Sequence, residues 1–142
     1  MAVPMMWFSK KAVYALQALT AMARDNRGKP RQVQELAENQ GIPVKFLEQI
    51  LLGLKRQGIL HSKRGVGGGY QLARTADHIG LVEVLEAVDG PFHGPEFPPA
   101  AARGLTEFFS ELNHELRERL EHTTIADILA REVGSESLSF EI

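Results

Sequence analysis

The stretch VQELAENQGIPVKFLEQILL, residues 33–52, decides the fold of this chain. Its apolar spacing predicts two short helices, over 32–40 and 43–57, and Pro43 suits a first helical position because its missing N–H needs no partner there. Gly41 separates them, in a turn where glycine adopts a left-handed backbone most easily. The inward positions are Leu36, Ile42, Leu47, Ile50 and, less typically, the polar Gln40. This register predicts a helix-turn-helix, and an ordinary helical hairpin in a core is the alternative.

The stretch RGVGGGYQL, residues 64–72, follows and holds four glycines in five positions. The flanking segments ILHSKRG and GGYQLAR predict two short strands around a tight tip. A hairpin directly after a helix-turn-helix is a wing, and Arg64 at its tip suits a narrow minor groove. The alternative is a phosphate-cradling loop. It fails because Tyr70 stands where a dinucleotide fingerprint needs a third glycine, and no Gly-Lys-Ser/Thr follows.

Helices are also predicted on both sides of this unit. Ser9 is a candidate N-cap for a helix over about 10–25, and the DNRGKP segment that follows is typical of a turn. The segment HIGLVEVLEAVDG, residues 78–90, predicts a helix of about nine residues. Residues 91–103 hold four prolines, which predicts a loop.

The C-terminal part predicts a long amphipathic helix with an apolar stripe. The stripe consists of Leu105, Phe109, Leu112, Leu116 and Leu120. One small domain does not easily bury such a stripe, so we expect this helix to pair two subunits. Thr124 with Asp127 resembles a capping box for a last helix over roughly 125–132.

The net charge of −2 conceals an uneven distribution. Residues 1–75 carry twelve Lys/Arg against four Asp/Glu, a net of +8. Residues 76–142 carry four Arg and fourteen Asp/Glu, a net of −10. The cationic half favours a polyanionic partner such as DNA. Two solvated surfaces of chance polarity are the alternative.

Composition excludes several classes of protein. The 142 residues, 44% of them apolar, predict one domain with an appended piece. The absence of cysteine excludes disulfides, thiol nucleophiles and cysteine-ligated iron–sulfur clusters. No apolar run is long enough to span a membrane, and the N-terminus lacks the pattern of a signal peptide, so a cytoplasmic protein is expected. No nucleophile stands with a base, so we do not expect an enzyme.

Two smaller features have more than one interpretation. His114, Glu118 and His122 share one helix face at a spacing that can bind a metal, but a solvated acidic surface is the interpretation we favour. Trp7 and Phe8 are expected to pack on the first helix or in a dimer contact rather than to bind a ligand.

The chain resembles the Rrf-type winged-helix transcription regulators, which include the IscR-, NsrR- and CymR-like proteins. The matching segments are SKKAVYALQAL (9–19), LAENQGIPVKFLEQIL (36–51), GILHSKRGVGGGYQLAR (58–74) and IGLVEVLEAVDGP (79–91). The resemblance covers about residues 6–91, and more loosely the helices at 104–133. It implies a dimer in which the long helix pairs the subunits and two winged units read a palindromic operator in double-stranded DNA.

The resemblance stops at the metal site. Many members of that family hold an iron–sulfur cluster through three cysteines in the loop before the long helix. Here the loop 91–103 has none, and His93 and Glu96 are its only candidate metal ligands. Because of this departure no cofactor is expected; some members of the family also lack a cluster, and they imply an effector protein or a small molecule as the signal.

These observations predict a mostly α winged helix-turn-helix with a two-stranded wing and a long dimerisation helix. The expected divisions are a DNA-binding domain over 1–90, a Pro-rich loop over 91–103 and a dimerisation part over 104–142. The expected function is a DNA-binding repressor; the alternative is a dimeric winged-helix module that binds a protein partner. The residues expected to contact DNA are Lys10, Lys11, Lys45, Phe46, Glu48, Gln49, Lys63, Arg64, Gly65, Gly67 and Tyr70.

Overall fold

A computed structural model describes residues 8–25, 28–91 and 93–140, with side chains as far as residue 132. Trp7 therefore lies outside the described residues. The elements are α1 (Lys10–Arg24), α2 (Val33–Gln40), α3 (Val44–Arg56), β1 (Leu60–Lys63), β2 (Gly69–Leu72), a 3-10 helix (Ala76–His78), α4 (Leu81–Asp89), α5 (Arg103–Glu121) and α6 (Ile125–Phe140). The predicted mostly α winged helix is confirmed.

The core lies where α1 packs against α3, α4 and α6. The buried face of α1 is rich in alanine, and Ala12, Ala15 and Ala18 have no exposed surface. Such small side chains let the neighbouring helices approach closely, and leucines and isoleucines from those helices fill the remaining volume. Ile125, the first residue of α6, is also fully buried in this core.

The helix-turn-helix forms as its sequence predicts. Gly41 ends α2 with φ 65° and ψ 35°, the left-handed conformation expected of it. Leu36, Ile42, Leu47 and Ile50 are all buried. The polar Gln40 is accommodated because the side-chain amide of Gln17, on α1, donates to its backbone oxygen at 2.7 Å and to its side-chain oxygen at 3.2 Å.

The wing is an antiparallel hairpin in which Leu60 pairs with Leu72 and Lys63 pairs with Gly69. Arg31, just before α2, continues the sheet because its backbone N–H donates to Tyr70 O at 2.7 Å and its carbonyl accepts from Tyr70 N at 2.8 Å. The strands are shorter than the sequence predicted, since residues 64–68 form the turn.

Two predicted helix boundaries, at the start of α3 and at the end of α6, were wrong. Pro43 precedes α3 as its N-cap, with ψ 131°, rather than being its first residue. The helix of about nine residues predicted within 78–90 is confirmed as Leu81–Asp89, and residues 76–78 before it form a separate 3-10 turn. The last helix continues to Phe140 rather than ending near 132, since Gly134 weakens a helix without ending it.

Candidate nucleic-acid interface

The first two turns of α3 present a polar face to solvent. Lys45, Glu48 and Gln49 are exposed, and within the described part of the chain their side chains make no hydrogen bond or ion pair. Phe46 lies among them with 37% of its surface exposed. The opposite face, with Leu47, is buried, so the amphipathic pattern determines which side faces outward. Side chains at the start of such a helix are those that reach base edges in winged-helix proteins.

The wing tip carries two exposed cations on a tightly turned backbone. Lys63 and Arg64 are exposed. The tip turns because Gly65 has φ 91° and Gly67 has φ 76°, values that other L-residues rarely adopt. The turn is closed by a hydrogen bond from the backbone N–H of Gly68 to the carbonyl of Gly65 at 2.9 Å.

The two inner glycines of the wing are needed for a different reason. A Cβ on Gly69 would lie 2.3 Å from the carbonyl oxygen of Arg31. A Cβ on Gly68 would lie 2.2 Å from the carbonyl oxygen of Lys63. The two glycines thus let the backbone of the wing lie close to other main-chain atoms of this chain. The close approach of Gly69 to Arg31 holds the wing against the segment before α2.

The base of the wing is tied to α4 by charge. Arg74, two residues after β2, pairs with Glu83 of α4 and also donates from Nη1 to the carbonyl of His78 at 3.2 Å. The hydrogen bond that Arg74 donates to the carboxylate of Glu83 raises the pKa of Arg74. Because α4 is part of the core, this pair ties the end of the hairpin to the folded body.

The start of α1 is a second cationic region. Ser9 caps α1, since its hydroxyl accepts from Ala12 N at 3.1 Å, as predicted. The carboxylate of Asp89, at the end of α4, accepts hydrogen bonds from the Ser9 hydroxyl and from Ser9 N, the latter at 3.0 Å. Lys10 is exposed and Lys11 is half-exposed. These contacts fix where α1 presents both lysines.

Two tyrosines pack beside the candidate DNA-contacting residues. Tyr70 is half-buried against the core, and its backbone forms the bridge to Arg31. Its contact with DNA stays a prediction. Tyr14, which sequence reasoning missed, lies between Lys10 and Phe46: the Lys10 Nζ is 5.6 Å from its ring centroid. The i, i+4 spacing of Lys10 and Tyr14 was the only signal in the sequence.

Helix α5 has no buried residue in the single chain. Leu105 is 44% exposed and Phe108 is 58% exposed. The other members of the predicted stripe, Phe109, Leu112, Leu116 and Leu120, are half-buried. Phe108 was missed, although it lies three residues after Leu105 and four before Leu112, a spacing that places it on the same side of the helix. Its ring packs against Phe109 with centroids 5.3 Å apart.

The candidate metal ligands do not assemble. His93 and Glu96 line an open cleft of about 430 Å³ between the loop and α5, and the Nδ1 of His93 donates to Gly94 O at 3.2 Å. On α5, His122 Nδ1 donates to the backbone oxygen of Glu118 at 2.8 Å. Within the described residues, no three histidine or acidic side chains are grouped so as to hold a metal ion.

A family model described as "Rrf2: Iron-dependent Transcriptional regulator" matches residues 8–131. The chain belongs to the Rrf2 family. Its relatives include a protein of Mycobacterium tuberculosis provisionally named an HTH-type transcriptional regulator, 36% identical over 132 residues that cover 87% of this chain and 81% of the relative. The HTH-type transcriptional regulator IscR of Erwinia tasmaniensis is 31% identical, over 87% of this chain and 79% of its own length.

Solved structures of the Rrf2 family share the fold. CymR, the global cysteine regulator of B. subtilis, superposes with a TM-score of 0.80 at 24% identity, covering 89% of this chain and 98% of CymR. IscR of T. potens gives a TM-score of 0.74 at 26% identity, covering 93% of this chain and 88% of that protein. The family match and these relatives show that the chain is a DNA-binding transcription regulator and not an enzyme. Within residues 8–25, 28–91 and 93–140, none of the helices combines the length and apolarity that crossing a bilayer requires.

The iron in the family's description does not fit the residues of this chain. The sequence has no cysteine, so no thiolate can bind iron or an iron–sulfur cluster. The loop before α5 offers only His93 and Glu96, and one ring nitrogen of His93 is already hydrogen-bonded to Gly94. An iron site needs a larger convergent set of donors, which the described residues do not provide.

Proposed function

We propose that this protein is a homodimeric repressor that binds a palindromic DNA operator. The observation that carries the proposal is the combination of two exposed surfaces on one chain. One consists of the polar face of α3 and the cationic wing tip, and the other is the apolar side of α5. The first suits DNA and the second suits another copy of the chain.

Different residues of each winged unit contact the phosphates, the major groove and the minor groove of DNA. Lys10, Lys11, Lys45 and Lys63 neutralise phosphates, which makes the affinity strongly dependent on salt. The first turns of α3 enter the major groove, where Glu48 accepts a hydrogen bond from cytosine N4 and Gln49 reads an adjacent base. Arg64 enters the minor groove, where a narrow groove concentrates negative potential.

Dimerisation is the reason why the operator is palindromic. Leu105 and Phe108 are exposed apolar side chains on one end of α5, and the half-buried leucines continue the surface along the helix. Burying them against the partner's α5 stabilises a two-fold dimer. A two-fold axis places two winged units on half-sites of opposite orientation, so the operator shares that symmetry. A dimer clamped on a promoter excludes other proteins from it, which is the basis of repression.

The signal that releases the operator is a protein partner or a small molecule rather than a metal cluster. The absence of thiolates removes cluster-based redox or nitric oxide sensing. A ligand that binds the DNA-free dimer more tightly than the DNA-bound dimer lowers operator affinity by mass action.

Selection from a random DNA library with purified protein tests the proposal. We expect a palindromic consensus, bound as one dimer per site, with an affinity that falls steeply as salt rises. Sedimentation at micromolar concentration should show a dimer without DNA. A monomer, or a selected pool without symmetry, would contradict the homodimer on a palindrome. Affinity that is independent of salt and sequence would favour the protein-interaction alternative.

A further inference from the structure

Phe46 is an apolar side chain on the polar face of α3. Its flanking residue Lys45, and Gln49 one turn later, are exposed, and Phe46 itself is 37% exposed. A phenyl ring at such a position leaves apolar surface in contact with water, which is unfavourable in the free protein. When α3 docks on DNA, an apolar group that covers the Phe46 ring removes this surface from water, which favours binding.

The exposed ring is held in place by α1. Phe46 meets Tyr14 edge to face, with ring centroids 5.6 Å apart and an interplanar angle of 85°. Tyr14 is half-buried and packs against the core, and Lys10 lies over its ring. Edge-to-face contact is one of the two geometries that aromatic pairs prefer, so Tyr14 restricts the orientation of Phe46. The uncovered part of the Phe46 ring is therefore presented in a defined direction beside Lys45 and Gln49.

We propose that Phe46 recognises the C5-methyl group of a thymine in each operator half-site and that Tyr14 is its positioning residue. Phenylalanine has no hydrogen-bonding group, so it does not read the donors and acceptors of a base edge. The thymine methyl is the apolar feature that the major groove offers, and apolar contact with it is a known mode of readout. This inference rests on the proposed function, since it requires α3 to enter the major groove of an operator.

The inference has a quantitative consequence. Removing one buried methyl group lowers affinity by about fourfold, and removing the symmetry-related pair in a palindrome lowers it by about fifteenfold. A contact between Phe46 and a sugar or phosphate has no such dependence on the base. Simple packing of Phe46 on Tyr14, without a DNA contact, has none either.

Deoxyuridine substitution isolates the methyl group, because it leaves the hydrogen-bonding pattern of the base pair unchanged. Operators obtained by selection are synthesised with each symmetric pair of thymines replaced by deoxyuridine, and affinities are measured for the wild type, Phe46→Ala and Phe46→Gln. At one pair we expect about a fifteenfold loss for the wild type and none for either variant. At all other pairs the three proteins should respond alike. Phe46→Gln keeps a long side chain, which guards against a folding defect in Phe46→Ala.

The role of Tyr14 is tested by the ratio of thymine to deoxyuridine affinity, which a general loss of stability does not change. Tyr14→Phe keeps the ring and should keep the ratio, whereas Tyr14→Leu should lower it. If an operator is selected but no thymine methyl depends on Phe46, this inference is overturned and the proposed function stands. If no operator is selected, both are overturned.

Discussion

Arg64, which we propose enters the minor groove, is positioned by its neighbours rather than by its own packing. It is exposed at the tip of the wing, and the backbone that carries it is shaped by Gly65 and Gly67 at positive φ. The glycines that anchor the hairpin are the next two, Gly68 and Gly69, which approach other main-chain atoms. In this short loop, Gly65 and Gly67 thus turn the backbone, Gly68 and Gly69 anchor it, and Arg64 is exposed for the proposed contact with DNA.

Replacing Arg64 with alanine should weaken operator binding by roughly 1–3 kcal/mol while leaving the fold and the dimer intact. The reason is that an exposed side chain at a hairpin tip packs against little in the free protein. Fluorescence anisotropy with the selected operator measures the change. Arg103→Ala is the matched control, since Arg103 is an exposed arginine on α5 whose one ion pair among the described residues is with Glu107. Equal affinities for the wild type and Arg64→Ala would remove the wing tip from the DNA interface.

Replacing Gly69 with alanine should destabilise the fold as well as DNA binding. The new Cβ would lie 2.3 Å from the Arg31 carbonyl oxygen, so the wing must move away and lose its bridge to Arg31. We expect a loss of about 2 kcal/mol or more in unfolding free energy, as for other backbone conflicts. Urea denaturation followed by circular dichroism measures it.

The control for that substitution lies in α3. A Cβ on Gly53 meets no atom within 4 Å, and Gly53 has an ordinary helical backbone. Gly53→Ala should therefore stabilise the protein by about 0.5–1 kcal/mol. If Gly69→Ala proves as stable as the wild type, the wing does not depend on its contact with Arg31.

At the level of elements, α5 differs from the α-helices α1 to α4. It has no buried residue, although it spans 19 residues and has a clear apolar side. Its link to the core is the ion pair between Arg117 and Glu86 of α4 at 2.7 Å and the packing of Leu120 on the core. The rest of the helix is held by few intrachain contacts, which is the condition under which a helix of this size needs a partner.

Leu105→Glu combined with Phe108→Glu should convert the dimer to monomers without unfolding the subunit. Both side chains are largely exposed in the single chain, so their charges cost little there, whereas a buried interface would have to desolvate them. Sedimentation equilibrium measures the state. His114→Glu, which adds a charge at a side chain 80% exposed on the same helix, is the control and should remain dimeric. A double variant that is still a dimer would place the interface elsewhere.

For the molecule as a whole, the description of the Rrf2 family implies iron, whereas the residues of this chain do not fit an iron site. The fold is that of the family, but the chain holds no thiolate, and its loop before α5 has one histidine and one carboxylate. The fold is held by apolar burial, which a missing cluster leaves unaffected. We therefore expect the same architecture to respond to a signal other than a metal cluster.

The purified protein should be colourless and should bind its operator equally well in air, under reductant and after treatment with a chelator. Without thiolates there is no group for a cluster to attach to and none to oxidise to a disulfide. Absorbance spectra, iron and sulfide analysis and anisotropy titrations measure this. A brown protein with stoichiometric iron, or an affinity that changes with the redox state, would contradict it.

The sequence alone was sufficient for the helix-turn-helix, the wing and the capping of α1 and α6. These features depend on neighbouring residues: the left-handed turn at Gly41, the hydroxyl of Ser9 and the reciprocal bonds of Thr124 and Asp127 at 2.9 and 3.2 Å. Local backbone preference and hydrogen bonding act over three or four residues, so a pattern in the chain reveals them.

Only the tertiary structure decided which residues meet across elements. It placed Gln17 on Gln40, Gly69 against Arg31 and Tyr14 on Phe46, pairs separated by more than twenty residues in the chain. It also left Phe108 exposed beside the predicted stripe. Such contacts follow from how helices cross and pack, and apolar burial is non-directional, so periodicity marks a face as buried or exposed without naming its partner.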